Sequence, residues 1–402
     1  MGPILSDNRI YSAYYRFLDG LLPESLDWLA YFIAGFAIVF MLVNALLIGA
    51  SVFVYMLRRI LGLFQTRLGP NRVGPFGLLQ PFADILKLLL KEDLRPDVAD
   101  RFLFNAAPIL MVAPVLILLA VVPFGANSIL ADINVGILFV IAITTMSTLA
   151  VFMAGWGSGN RYALIGAVRA VAQLVSYEVP MVLSLVGILL ITSTMSMVGI
   201  VEAQRVPFIL LQPLGFFVFL MAASAEMNWS PFDLLEAESE LTAGFHTEYS
   251  GMKFGLLQLG EFAAIVVFSG IISTLFLGGW FNPFVPHSWV QILPSYIWFI
   301  LKILFVIFVL IWIKATIVRL RIDQVMNFAW TVLLPLAVIN LIVTAVLVRI
   351  WPEPSTGELW LMVAINFAVA VGAIVGFSYK LERNRVVPAS SVRLVKLSSE
   401  AR

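Results

Sequence analysis

Nine apolar runs organise this chain, at residues 29–57, 102–122, 135–155, 162–192, 207–225, 254–277, 296–318, 328–350 and 358–380. A helix of roughly 20 apolar residues crosses a bilayer. The pattern therefore predicts an all-α fold, a polytopic membrane helix bundle of about nine transmembrane helices. It also divides the chain. Residues 1–28 read as an N-terminal amphipathic surface segment, 29–380 as the bundle with loops at 58–101 and 226–253, and 381–402 as a basic tail.

Orientation follows the Lys/Arg count. The segment 58–101 carries Arg58, Arg59, Arg67, Arg72, Lys87, Lys91, Arg95 and Arg101. The tail carries Lys380, Arg383, Arg385, Arg393, Lys396 and Arg402, whereas the connections 123–134 and 279–295 carry neither Lys nor Arg. With nine spans, both basic segments fall on the cytoplasmic side and the N-terminus outside. The loop 226–252 is then cytoplasmic too, although it lacks Lys and Arg.

That loop is the most unusual stretch. Ala225–Met252 reads AEMNWSPFDLLEAESELTAGFHTEYSGM and holds six carboxylates: Glu226, Asp233, Glu236, Glu238, Glu240 and Glu248. With no internal cation, they are solvated, or a partner protein supplies charge, or some are protonated at neutral pH. Ser230-Pro231-Phe232-Asp233 predicts a helix start, with Ser230 as cap and Asp233 completing a capping box. Gly244 suits its stop. On that helix Asp233, Glu236 and Glu240 share a face and Glu238 points away. A solvated acidic face is the simple alternative, but Phe232, Leu234, Leu235 and Leu241 are too apolar for a helix free in water.

Polar residues also interrupt the spans. Arg169, Gln173 and Tyr177 recur every fourth residue along one face of the fourth. Glu178 follows, and Pro180 favours a kink beside it, arguing for a polar cavity. The sixth span carries Glu261, and the seventh carries Lys302 and then Lys314. Intramembrane charges are costly and usually functional. Structural ion pairs are the simple alternative for each alone. Burial would raise the carboxylates' pKa, and Arg169 or Lys302 nearby would lower it. In the first basic loop, Gly69-Pro70-Asn71 and Gly74-Pro75 mark turns. The glycines make no phosphate loop, since no Gly-Lys-Ser/Thr follows. A short interfacial helix begins near Pro81, with Asp84, Lys87 and Lys91 on one face. An ordinary basic anchor on lipid headgroups would read the same.

Composition narrows the chemistry. Of 402 residues, 61% are hydrophobic and 12% charged, against ~25% charged in a soluble domain. There is no cysteine, which excludes thiolate-held iron–sulfur clusters, disulfides and Cys-ligated zinc. The two histidines, His246 and His287, lie far apart and outside the apolar runs. No metal site and no bis-His haem are expected, so any redox chemistry belongs to a partner. A net charge of +1 does not suggest nucleic acid. Arg9, Tyr14, Tyr15, Arg16, Asp19, Pro23 and Glu24 break up any signal-peptide core in residues 1–27.

The stretches GPNRVGPFGLLQPFAD, VRAVAQLVSYEVP and EAESELTAGFHTEYSGMKFG resemble those of one family. It is the H subunit family of respiratory complex I, the heel subunit joining the peripheral arm to the membrane arm. LFLGGW at Leu275–Trp280 and RLRIDQVM at Arg319–Met326 extend the similarity, which runs from about Tyr55 to Asn340. The resemblance implies that Gln65, Arg67, Arg72, Phe76, Asp84, Lys87, Glu226 and Phe232 line a quinone chamber, with Tyr249 and Lys253 near its floor. It implies a proton path through Glu178, Glu236, Glu238, Glu240, Glu248 and Glu261, beside Arg169 and Lys302.

It further implies a non-redox membrane subunit with quinone as substrate, and FMN and iron–sulfur clusters in partner subunits. The implied partners are peripheral-arm quinone-reducing subunits, small and antiporter-like membrane subunits, and lipid. The implied location is the inner (cytoplasmic) membrane. The sequence departs from the family pattern at Leu57 (commonly Glu), Trp229 (Arg), Leu235 (Pro), Lys314 (Arg), Val318 (Pro) and Thr331 (Lys). Without Arg at 229 the acidic loop is expected to lose its one local cation. Two alternatives stand beside this reading. One is the membrane anchor of an energy-converting hydrogenase, against which Gln65–Gly77 argues. The other is a secondary transporter, whose inverted repeats are not visible here. A complex fed by a donor other than NADH stays open.

Overall fold

A computed structural model describes residues 15–16, 27–126, 128–234, 243–281, 294–352 and 354–385. The N-terminal surface segment before Asp27, apart from Tyr15 and Arg16, lies outside them, as does the tail beyond Arg385. Among the described residues there is helix and no strand. The helices are α1 (Asp27–Phe64), α2 (Gln80–Leu90), α3 (Arg101–Leu119), α4 (Gly136–Gly157), α5 (Arg161–Thr192), α6 (Met197–Ala203), α7 (Phe208–Leu211), α8 (Pro213–Glu226), α9 (Gly251–Phe276), α10 (Ser295–Thr316), α11 (Ile322–Phe328), α12 (Leu334–Ile350) and α13 (Thr356–Arg385). Eight helical stretches are long and apolar enough to cross a membrane: α1, α3, α4, α5, α9, α10, α11 continued into α12, and α13.

The fifth predicted span differs from expectation. Pro207 and Pro213 divide the run 207–225 into the four residues of α7 and the 14 of α8, with Gln212 extended between them. At 1.5 Å per residue α8 is about 21 Å long, short of a full crossing. Polar side chains gather at the break, and one of them, Asn366, covers a backbone carbonyl there. Gln212 Nε2 donates to Gly187 O at 3.0 Å and to Thr344 Oγ1 at 3.1 Å. Asn366 Nδ2 donates to Leu211 O at 2.7 Å.

Local signals explain most other boundaries. Asp100 caps α3 by accepting from the Phe102 and Leu103 amides, and Asn160 caps α5 by accepting from Tyr162. Between α11 and α12 the helix widens to a π turn over Ala329–Leu333, just before Pro335, which has no amide proton to donate. The hub is α9, where every residue from Val267 to Phe276 is buried. It packs on α1, α3 and α10, while α5 packs on α4, α8 and α12. The unpaired carbonyls at the end of α9 are closed by Gln204 Nε2, on Thr274 O and Leu275 O at 2.8 and 3.1 Å. Lys302 Nζ closes the next turn, on Leu277 O, Gly279 O and Phe281 O at 2.6, 2.7 and 2.5 Å.

Both described arms of the acidic loop are buried against the bundle. Met227, Trp229, Phe232 and Leu234 are 1–3% exposed on one arm. On the other, Phe245, His246 and Tyr249 are equally enclosed. The expected helix does not begin at Ser230: Ser230 and Pro231 lie in a turn and Phe232, Asp233 and Leu234 are not helical, so the capping box is not made. Gly244 does not end a helix on described residues either; with φ +56° it opens a 3-10 turn, Gly244–His246. Residues 235–242, with Glu236, Glu238 and Glu240, lie outside the described residues.

Candidate functional site

Glu226 closes α8, and Asn228 at φ +51° turns the chain back into the bundle. The position is fixed from α5, where Gln173 Nε2 donates to Ala225 O at 3.0 Å. Two hydroxyls of α4 meet two carboxylates. Thr145 Oγ1 donates to Glu178 Oε1 at 2.5 Å, and Ser147 Oγ donates to Glu226 Oε1 at 3.3 Å. Glu178 and Glu226 are close enough to interact electrostatically. A third carboxylate joins from α9: a cavity of about 30 Å³ is shared by Thr144, Ser147, Glu226, Asn228 and Glu261. That is room for a water or two, and polar walls of this kind hold them.

The second arm of the loop reaches Glu261 from the other side. Gly166 of α5 admits it: a Cβ at that position would stand 2.9 Å from Gly244 Cα and 3.1 Å from its carbonyl carbon. The turn that follows sets His246 Nε2 3.5 Å from Glu261 Oε1, both side chains no more than 10% exposed. Phe245 and Phe254 flank the imidazole, with ring centroids 3.9 and 5.6 Å away. Burial pushes the His246 pKa down to about 4, so the ring is neutral at pH 7 and the contact is not an ion pair there. Glu248, two residues on, accepts from Asn160 Nδ2 at 2.6 Å.

The remaining predicted residues fall into separate groups. Phe232 lies between Tyr177 and Phe328, at 4.9 and 6.0 Å between centroids, and the Tyr177 hydroxyl donates to Val325 O at 2.9 Å. Gln173 and Tyr177 are fully buried on α5 and Arg169 half-buried one turn before them. Tyr249 stacks on Phe104 at 4.2 Å, and Lys253 pairs with Asp93 at 2.8 Å beside the same ring.

Gln65, Arg67, Arg72, Phe76 and Lys87 are exposed. Arg67 Nε donates to Gln65 Oε1 at 2.7 Å, and Asp84 pairs with Arg58 at 2.5 Å. Tyr55 and Arg59 pin this loop to α1 by donating to Phe76 O. The cavity at Glu226 includes none of these exposed residues. Lys302 stands apart as well: Leu277, whose carbonyl it holds, is about 24 Å beyond Glu261 along α9.

The expectation that Trp229 leaves the acidic loop without a cation is corrected. Lys314 Nζ lies 3.6 Å from Asp233 Oδ2 and 4.0 Å from the Trp229 ring centroid. The Trp229 indole donates to Leu310 O at 2.8 Å on the same helix. Sequence reasoning missed Thr145, Ser147, Asn228 and His246. Hydroxyls within an apolar run carry no signal by themselves. His246 had one: it is a titratable residue within a stretch that also supplies the family likeness.

Comparison with known proteins then fixes the family. A family model described as NADH dehydrogenase matches residues 36–345. The H subunit of NADH-quinone oxidoreductase from Dehalococcoides mccartyi strain CBDB1 is 52% identical over 342 residues, 85% of this chain and 94% of that one. This chain belongs to the family of NADH-quinone oxidoreductase H subunits. The H subunit of Brevibacillus brevis is 49% identical over 316 residues, covering 78% of this chain and 93% of its own. The H subunit of Geobacillus kaustophilus is 50% identical over 296 residues, covering 73% and 87%. The resemblance drawn from the motifs is confirmed. As a member of this family, the chain is a multi-pass membrane subunit of an oxidoreductase complex, and the other subunits of that complex are its partners.

Proposed function

We propose that this chain walls the membrane end of a quinone-binding chamber and begins the carboxylate path that couples quinone reduction to proton translocation. One observation carries the reading: Glu178, Glu226 and Glu261 come from three helices to the inner end of one buried loop. Three carboxylates at membrane depth are a costly arrangement for packing alone. The exposed segment Gln65–Leu90, with Phe76, Phe82, Leu86 and Leu90 more than half exposed, suits a surface covered by a quinone-reducing subunit. Phe232 and Tyr249, one on each arm of the buried loop, and Lys253 just beyond it would carry the chamber floor. Glu236, Glu238, Glu240 and Glu248 would extend the path toward the chamber, and Arg169 would tune it. Lys302, committed to three carbonyls, has a bracing role instead.

On this reading the chain binds no prosthetic group of its own. FMN and iron–sulfur clusters belong to partner subunits, for which this cysteine-free chain has no thiolates. With α7 and α8 together making a ninth crossing, both basic segments face the cytoplasm, in the inner membrane, with small and antiporter-like subunits alongside. Glu178→Gln tests the path, since it keeps the shape and most hydrogen bonding while removing ionisation. In vesicles carrying the assembled complex, quinone reduction and proton pumping should fall together. Near-normal values of both would refute the role of Glu178, and loss of assembly would mark it as structural.

A further inference from the structure

His246 has no part in the path as drawn from the sequence, yet its setting is the most demanding in the molecule. The residue is 5% exposed, and neither ring nitrogen has a hydrogen-bond partner within the protein. A buried polar group left unpaired is costly, so two on one ring call for an explanation. The imidazole cannot withdraw to solvent, because Gly166 and Gly244 clamp its backbone at contact distance and Phe245 and Phe254 enclose the ring. What it faces is a carboxylate, Glu261 Oε1, at 3.5 Å from Nε2. That lies just beyond a hydrogen bond and closes with a small side-chain rotation.

We propose that His246 and Glu261 form a two-site proton store at the inner end of the carboxylate path, an inference that rests on the proton-path reading above. Of the pair's protonation states, those with no net charge suit a low-dielectric interior best. There are two: neutral imidazole with carboxylic acid, and imidazolium with carboxylate. They interconvert when the O–H proton of Glu261 passes to the Nε2 lone pair of His246, with Nδ1 keeping its own proton; the reverse step restores the acid. No atom or charge is gained or lost, and the pair titrates as a unit.

Charge arriving nearby selects between the two states. Of the elements packed on the Gly244–His246 turn, α5 carries Arg161, Arg169 and Glu178 and α4 carries no ionisable group. On α9, which supplies Glu261, Lys253 is the other charged residue, and Glu248 lies two residues beyond His246. Glu226, across the shared cavity, is placed to exchange protons with Glu261 through a water. A negative charge gained at Glu226 favours keeping the acid form of Glu261, and its loss releases the proton toward His246.

The test uses the complete complex in native membrane vesicles. His246→Gln keeps a polar side chain of similar reach but has no basic nitrogen, and His246→Asn is a smaller second variant. Native gels report assembly, and quinone reduction and proton pumping are followed as pH profiles. The expected result is an assembled complex in which both rates fall together, on the order of 10²-fold at neutral pH as for loss of a proton-transfer group, with the profile displaced. Rates and profile like the parent's in both variants would overturn the proposal. So would lowered rates on an unshifted profile, or failure of both to assemble, since each marks a packing role. Glu178→Gln in the same vesicles separates the two readings. If it loses coupling while His246→Gln is normal, only the store is refuted; if both are normal, the path itself falls.

Discussion

Lys314 tests how firmly the first arm of the buried loop is held. Its ammonium meets Asp233 at 3.6 Å and the Trp229 ring at 4.0 Å, with side chains 24% and 15% exposed for Lys314 and Asp233. At that distance and an effective dielectric near 20, the attraction is about 4–5 kcal/mol before desolvation. Desolvation offsets most of it, and the ring contact adds about 0.5–2 kcal/mol. Lys314→Met removes both and leaves Asp233 without that cation. Loss of one partner of a fully buried pair costs ~3–5 kcal/mol, and partial exposure lowers this to about 2 kcal/mol. A loss of that size raises the open population of the arm roughly 30-fold.

Two amides report it, Trp229 N on Ser224 O at 2.8 Å and Phe232 N on Trp229 O at 2.9 Å. Hydrogen exchange on the assembled complex should show both accelerated in Lys314→Met. Lys314→Met combined with Asp233→Asn should recover part of the protection, because the stranded charge is gone. Parent-like exchange at both amides in Lys314→Met would show that the ammonium holds nothing there. Equal exchange in the single and double variants would remove the ion pair from the account.

Gly166→Ala should force the Gly244 turn outward, since its Cβ meets backbone, and cost about 1–3 kcal/mol; an unchanged melting temperature of the complex would contradict the close approach. Gln212→Leu removes the hydrogen bonds its amide gives Gly187 O and Thr344 Oγ1, worth roughly 0.5–1.5 kcal/mol each, and should lower the same melting temperature. Cysteines placed at Ser128 and Ser390 should react with impermeant reagent from outside and inside respectively; labelling of both from one side would refute the proposed orientation.

The spans were legible because twenty apolar residues have few other uses. The fifth span misled because its apolar run hides Pro207, Gln212 and Pro213, and the partners at the break, Asn366 for Leu211 O and Gly187 and Thr344 for the Gln212 amide, lie on other helices. The face Arg169–Gln173–Tyr177 was visible at helical spacing, and so was the oddity of Glu178 and Glu261 in apolar runs. Which groups they meet was not visible. Thr145 lies 33 residues from Glu178 and Ser147 lies 79 from Glu226, and no local pattern encodes such pairings. Phe232 and Leu234 marked the acidic loop as too apolar to stand free in water, but no local pattern showed that Trp229, Phe232 and Phe245 would be enclosed by other helices.

That burial limits how the site can work. The backbone of the first arm is held at several points: Ala225 O by Gln173, Trp229 N by Ser224, and Pro231 O by the Leu320 amide at 3.2 Å. Opening the arm would break these bonds and strip Phe232 from Tyr177 and Phe328. Moving it as a lid at each turnover would forfeit those bonds and that packing together. Proton position is a cheaper variable. Glu178, Glu226, Glu261 and His246 sit on helices or on a clamped turn, close enough to change one another's charge without backbone movement. On the proposed reading, then, the loop is a fixed seat, and what passes between chamber and path is charge. The conformational change that any pump requires is expected elsewhere, in the helices or partner subunits that feel that charge.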